Sequence, residues 1–263
     1  MTRPVRYEVE SGVATVTLDR PEAMNSLTRE TKEALRDALQ TAASDEAIRC
    51  VVVTGTGRAF CVGQDLCEHA AHLAELPVAD VWATVAEHYT PIATALATMP
   101  KPVIAAVNGV AAGAGASIAF ACDFRLVSEA AGFNTAFAGI GLSCDTGASW
   151  TLPRLVGYAK AVELLMQPRT VKPSEACEIG LATHVVPADD LAEAAADLAR
   201  TLAAGPTLAY ASIKAALVYG ASHDLATTLA LEADMMAVTG ASQDHRDAVQ
   251  AFVAKQSPTF HGR

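Results

Sequence analysis

Two short runs constrain this chain more than anything else in it: "IRCVVVTG", beginning at Ile48, and "KPVIAAVNG", beginning at Lys101. Both are apolar without alternation, too short to span a bilayer, and each closes on a glycine, Gly55 or Gly109. A strand of that kind must be covered on both faces, which points to a parallel sheet between helices. The intervening sequence supplies the helices. "SLTRETKEALRDALQTAASD" sets Leu27, Leu35 and Leu39 at helical spacing, with Thr28 as the candidate N-cap. Beyond the second run, "AAGAGASIAFAC" reads as a turn into a helix and "DFRLVSE" as a further strand, while "VRYEVESGVATVTLDRP" at the front alternates about Ser11-Gly12 like a β-hairpin. The succession of strand and helix predicts an α/β layered core.

From Pro187 the pattern turns purely helical, with a stop and restart at Gly205-Pro206. We therefore expect a core over 1–198 and a C-terminal all-helical region over 199–263, packed on the core or on another subunit. The 263 residues suffice for a sizeable core. With 19 Lys+Arg against 29 Asp+Glu the formal charge is −10, and no basic run stands out, so nucleic acid is not an expected partner. Asn108 and several glycines interrupt the longest apolar stretch, and no membrane span is expected. The first residues carry no apolar targeting core, which makes the cytoplasm the expected location. Cys50, Cys61, Cys67, Cys122, Cys144 and Cys177 are scattered without a CxxC pair, so reduced thiols are expected rather than disulfides or zinc.

A strand running into a glycine-rich turn and then a helix is a generic anion-site geometry, because unpaired amides at the helix N-terminus face the turn. The familiar fingerprints are missing. "GVAAGAGAS" has Ile118 where GxGxxG needs glycine, "GTGRAF" lacks the Lys-Ser/Thr of a P-loop, and no serine sits in GxSxG. Two readings stay open for Gly113 and Gly115: close packing of the turn, or exposure of amides that bind something. A second turn, "AFCVGQDL", adds weight to the latter, since two strand-end turns with convergent amides are what an oxyanion hole requires.

The blocks "LDRPEAMNSL", "GTGRAFCVGQDL", "KPVIAAVNGVAAGAGASIAFACDFRLVSE", "FAGIGLSCDTGASWTLPRLVG" and "ACEIGLATHVV" resemble, in order over almost the whole chain, the enoyl-CoA hydratase/isomerase (crotonase) superfamily. The resemblance implies a spiral of strand-strand-helix repeats that binds an acyl-CoA thioester, with backbone amides of Gln64 and Ala114 on the thioester oxygen. It implies no permanently bound cofactor and no metal; coenzyme A arrives as part of the substrate. Hydratases of the family use two glutamates, whose positions here hold Ser117 and Phe137. Asp145 instead matches the single acid/base of the family's isomerases, such as those acting on epoxyphenylacetyl-CoA and some Δ3,Δ2-enoyl-CoA isomerases. One carboxylate suffices to carry a proton between C4 and C2 of an enoyl thioester, and Phe137, Ile140, Leu142 and Trp150 would desolvate it. The same Asp145, ahead of "TGASW", is also a candidate helix cap.

The resemblance further implies substrate or CoA contacts at Arg20, Arg58, Ala59, Val62, Gly63, Asp65, Leu66, Gly113, Ser117, Phe137, Leu142, Trp150 and Lys214. Asp65 is equally readable as a structural acceptor in its turn, and Glu22 stands where many relatives carry lysine. His69 and His72 lie on the segment that lines the acyl pocket in relatives; with no third ligand evident, a helix surface is the expectation for them rather than a metal. Trimers pairing into hexamers are the family's common assembly. The pathways implied are fatty-acid metabolism and phenylacetate degradation, with isomerase chemistry set against the hydratase (lyase) or a catalytically silent acyl-CoA binder.

Overall fold

The computed structural model describes residues 3–263. The chain winds as a series of strand-strand-helix units. Strands β1 (Val5–Glu10) and β2 (Val13–Leu18) lead into α1 (Arg29–Ser44); β3 (Cys50–Gly55) and β4 (Ala59–Cys61) lead into α2 (Leu66–Glu75), α3 (Val78–Thr84) and α4 (Thr90–Thr98). Next come β5 (Val103–Val107), β6 (Val110–Ala112) and α5 (Ala114–Ala121), then β7 (Phe124–Ser128), β8 (Gly132–Asn134), α6 (Ala148–Val156), α7 (Tyr158–Met166) and α8 (Pro173–Glu178). β9 (His184–Val186) and α9 (Leu191–Ala203) close the core, and α10 (Thr207–Gly220), α11 (Leu225–Gly240) and α12 (Gln243–Val253) follow.

The first strand of each unit joins a sheet ordered β1-β2-β3-β5-β7-β9, and the second strand of three units joins a smaller sheet, β4-β6-β8. All pairings are parallel except β1 with β2. That hairpin turns on Ser11 and Gly12, both with positive φ, the conformation a two-residue hairpin loop demands.

The apolar runs are buried on both faces, as their lack of alternation requires. Val51, Val53, Val103, Ala105 and Val107 point into the main core with Leu35 and Leu39 of α1. Cys50, Val52, Ile104 and Ala106 point the other way, onto Leu191, Ala195 and Ala199 of α9. Thr28 caps α1 by accepting from the Thr31 amide.

Residue 198 lies inside α9, so the expected boundary there is corrected: α9 covers one face of the main sheet and belongs to the core, and the all-helical region proper starts with α10. No helix among the described residues is long and apolar enough to cross a membrane.

Candidate active site

Two turns meet at one end of the smaller sheet. β4 leaves through Gly63, whose φ is +84°, and β6 leaves through Gly113, whose φ is +52°. A methyl group on Gly63 would lie 2.9 Å from the Ala112 carbonyl and 3.2 Å from the Ala114 amide nitrogen, so the turns are in direct contact. Gly115 is required for close approach instead: a Cβ there would collide with the Cys61 carbonyl oxygen. Among the described residues, neither the Gln64 amide nor the Ala114 amide has a hydrogen-bond acceptor, although Ala114 is buried. Ala114 is the first residue of α5, where the helix leaves its amides unpaired and positive.

These amides border a cavity of about 140 Å³. Val62, Gln64, Leu66, Gly113 and Ala114 form the turn side of it. Ala136, Phe137, Ile140, Leu142 and Asp145 form a second wall, and His69, Trp82, Thr84, Val85 and Tyr89 a third. Asp145 is the one carboxylate on these walls. Partial burial pushes its pKa above the usual carboxylate value, while a 2.7 Å hydrogen bond from the Thr146 hydroxyl and the positive charge of Lys32 pull it back down. A carboxylate so placed is a better base than one in water.

Asp145 does not cap α6. Thr146 and Gly147 both take positive φ after it, the helix starts at Ala148, and its N-cap Gly147 offers no side chain. The carboxylate is thereby left to the cavity. A β-branched residue at positive φ is costly, and here the turn holds Thr146 with its hydroxyl on Asp145 Oδ1.

Several expected site residues are placed elsewhere. Ser117 is fully buried within α5, its hydroxyl on the Gly113 carbonyl, and Ala59 is buried in β4; neither borders the cavity. Trp150 is exposed on α6 with the Arg154 guanidinium 4.1 Å over its ring, and it is not among the residues that border the cavity. Lys214 is consumed within the chain, donating to Asp123 and to the Leu96 carbonyl, both at 2.8 Å. Arg20 donates to the Ser26 carbonyl at 2.6 Å and to Asp65 at 3.2 Å. Asp65 is the N-cap of α2, accepting from the Cys67 and Glu68 amides. Burial opposes its charge, yet bonds from Ser26, the Glu68 amide and Arg20 hold its pKa below the usual value. Of the cationic candidates, Arg58 alone is exposed. His69, on the segment expected to line the acyl pocket, borders the cavity with its ring 5.3 Å from that of Trp82, whereas His72 does not reach it. No group of three potential metal ligands occurs among the described residues.

Lys32 and Tyr89 are the polar residues that sequence reasoning missed. Their signal was present: Lys32 precedes Leu35 and Leu39, and Tyr89 precedes Ile92 and Leu96, at the spacing of a buried helical stripe. Tyr89 reaches the wall because residues Val85–Tyr89 form a π-helical turn, which brings Thr84 and Tyr89 onto one face.

The two-sheet spiral and the paired unsatisfied amides beside one carboxylate define a class: folds that present a carbonyl-sized site at the junction of two glycine turns. Comparison with known proteins makes the class specific. The enoyl-CoA hydratase/isomerase family model matches residues 8–263, and the chain belongs to that family. It is 42% identical to the 1,2-epoxyphenylacetyl-CoA isomerase of Escherichia coli K12, covering 97% of each chain. It is 32% identical to the crotonyl-CoA hydratase of Syntrophomonas wolfei, covering 96% of each. Among solved structures, an enoyl-CoA hydratase from Bacillus anthracis superposes with a TM-score of 0.92 at 31% identity, over 99% of this chain and 100% of that one.

Proposed function

We propose that this chain isomerises an enoyl-CoA thioester, with Asp145 as its sole acid/base. The observation that carries the reading is the single carboxylate on a cavity wall shared with the Gln64 and Ala114 amides. In the proposed step the Asp145 carboxylate takes a proton from C2 of a 3-enoyl thioester. The electron pair moves onto the thioester oxygen as a dienolate, which the two amides hold. Protonated Asp145 then returns the proton at C4, leaving the conjugated 2-enoyl thioester. Each amide donor is worth about 3 kcal/mol in such a role.

The hydratase reading requires a second proton-handling group beside the carboxylate. Ser117 and Phe137 cannot supply it; His69 is a side chain on the wall that could, and burial lowers its pKa from the usual histidine value. Coenzyme A enters as part of the substrate in either reading, with no further cofactor, and Arg58 is the exposed cation available for its phosphates. Assembly into trimers or hexamers is part of the proposal: α11 buries none of its side chains within the chain, and Leu225, Leu229 and Met236 stand exposed on it.

The test follows absorbance of the conjugated thioester separately from hydration, for wild type and Asp145→Asn on 3-enoyl- and 2-enoyl-CoA substrates. Conjugation of the 3-enoyl substrates by wild type, lost in the variant while CoA ligands still bind, is the expected result. Hydration of 2-enoyl-CoA at equal rates by both proteins would overturn the assignment.

A further inference from the structure

Beside the turn side of the cavity, and reaching its third wall through Thr84 and Tyr89, lies a buried polar cluster to which the proposed reaction gives no role. Lys32, of which 2% is exposed, donates from Nζ to Oε1 of Gln64 at 3.1 Å and to the Thr84 hydroxyl at 2.7 Å. The Tyr89 hydroxyl donates to the same Gln64 Oε1 at 2.6 Å, and the Lys32 ammonium lies 5.2 Å from the centre of the Tyr89 ring. Thr84 is braced in turn by His88 Nδ1 at 3.1 Å, and His88 Nε2 faces Glu33 at 3.6 Å.

Two donors on one oxygen leave the Gln64 amide group a single orientation, because an ammonium can only donate. Burial keeps the Tyr89 pKa well above its usual value, so the phenol also stays a donor. The backbone of Gln64 is pinned on its other side, where Leu27 donates to the Gly63 carbonyl and Asp65 donates to the Leu27 carbonyl. The residue whose own N–H has no partner is therefore clamped at its side chain and at both flanking peptides. Burying an ammonium is costly, and an ion held there with neutral partners calls for a reason beyond stability.

We propose that Lys32 and Tyr89 are positioning residues that, through their shared grip on Gln64 Oε1, hold the Gln64 amide aimed at the developing enolate oxygen. The proposal rests on the oxyanion role given to Gln64 above and applies equally to isomerisation and hydration. Burial works against the charge of Lys32 and lowers its pKa. The charged or titratable groups around it are Arg29 and Glu33 on its own helix, Glu68 and His69 on α2, His88 and Tyr89 on the π-helical turn, and Asp145. Its positive charge favours the ionised form of Asp145.

A double-mutant cycle between Tyr89→Phe and Gln64→Met tests this, run on whichever thioester reaction the wild type catalyses. Misaiming a catalytic group by about 1 Å costs on the order of a hundredfold, and Tyr89→Phe is expected to lower kcat by about tenfold, with KM changed less than about twofold. In the Gln64→Met background the same change is expected to cost nothing further, because the oxygen it acts through is gone. An equal loss in both backgrounds, or a loss of kcat that only follows the folded fraction in a thermal melt, overturns the proposal. If Gln64→Met does not fold, Gln64→Ala completes the cycle with the same two readings. Failure of the function reading is distinguishable, since it would show as activity surviving Asp145→Asn while the cycle still couples.

Discussion

The two sides of the main sheet are built on opposite terms. On the α9 side, Val52, Ile104, Ala106 and Leu126 meet Leu191, Ala195, Ala199 and Leu202, and the layer is apolar throughout. On the other side, beyond the main core, the turns of the smaller sheet hold unpaired amides at Gln64 and Ala114, buried Lys32, half-buried Asp145, and left-handed residues at Ala136 and Thr146. The first region stabilises; the second gathers unpaired and strained groups that cost stability. The contrast teaches that this scaffold keeps its unsatisfied groups at one junction and packs the rest tightly, a division expected where preorganisation for chemistry is set against stability.

The sharpest way to break the contrast is Asp145→Asn. Loss of a general acid/base costs about a thousandfold in rate, to be read on kcat with CoA-ligand binding as the control. Its stability should move the other way. Asp145 has its folded pKa raised by partial burial, so the folded chain binds its proton more tightly than the unfolded chain does, and the ionised form is the one disfavoured by folding. Removing the charge is therefore expected to raise Tm at pH 7, with the gain shrinking as pH falls through the Asp145 pKa. A variant less stable than wild type at neutral pH would contradict this sign.

Ile104→Ala probes the opposite region. Ile104 is fully buried against α9, and the truncation should cost about 3 kcal/mol in chemical denaturation. Activity per folded molecule should be unchanged; a drop in kcat would show that the layers are coupled.

A smaller effect is expected from Thr146→Ala. The hydroxyl that donates to Asp145 is lost, so the acid limb of the rate profile should shift upward, with stability changed by about 1 kcal/mol. An unshifted limb would mean that Thr146 does not tune the carboxylate.

The smallest change is expected from the surface. Arg58→Ala should raise KM a few-fold with kcat intact, corresponding to roughly 0.5–1 kcal/mol for an exposed ion contact. Arg20→Ala and Lys214→Ala should lower Tm instead, since both cations serve packing. The reverse pattern in binding and melting measurements would reassign them.

Strands, turns and helix starts were legible because each is a local matter. An apolar run with no alternation must be covered on both faces, Thr28 caps the helix it precedes, and Gly63 and Gly113 carry the positive φ their turns need. The reading failed where a helix's phase or a remote partner decided. Trp150 was expected on the cavity, yet the left-handed pair Thr146 and Gly147 sets the start of α6 and turns that ring to solvent. Lys214 looked free because its partners, Asp123 and the Leu96 carbonyl, lie far away in sequence.

The sequence by itself determined the layered α/β core and the two glycine turns, because these depend on residue type and on spacing along one segment, while the family, the spiral and the attention to Asp145 came from the resemblance of its motifs. Only the tertiary structure decided that Lys32 of α1, Gln64 of the first turn and Tyr89 of the π-helical turn share one oxygen. The physical reason is that a buried polar group is satisfied by whatever partner the packing brings within about 3 Å, and that distance is set by the whole fold rather than by any stretch of it.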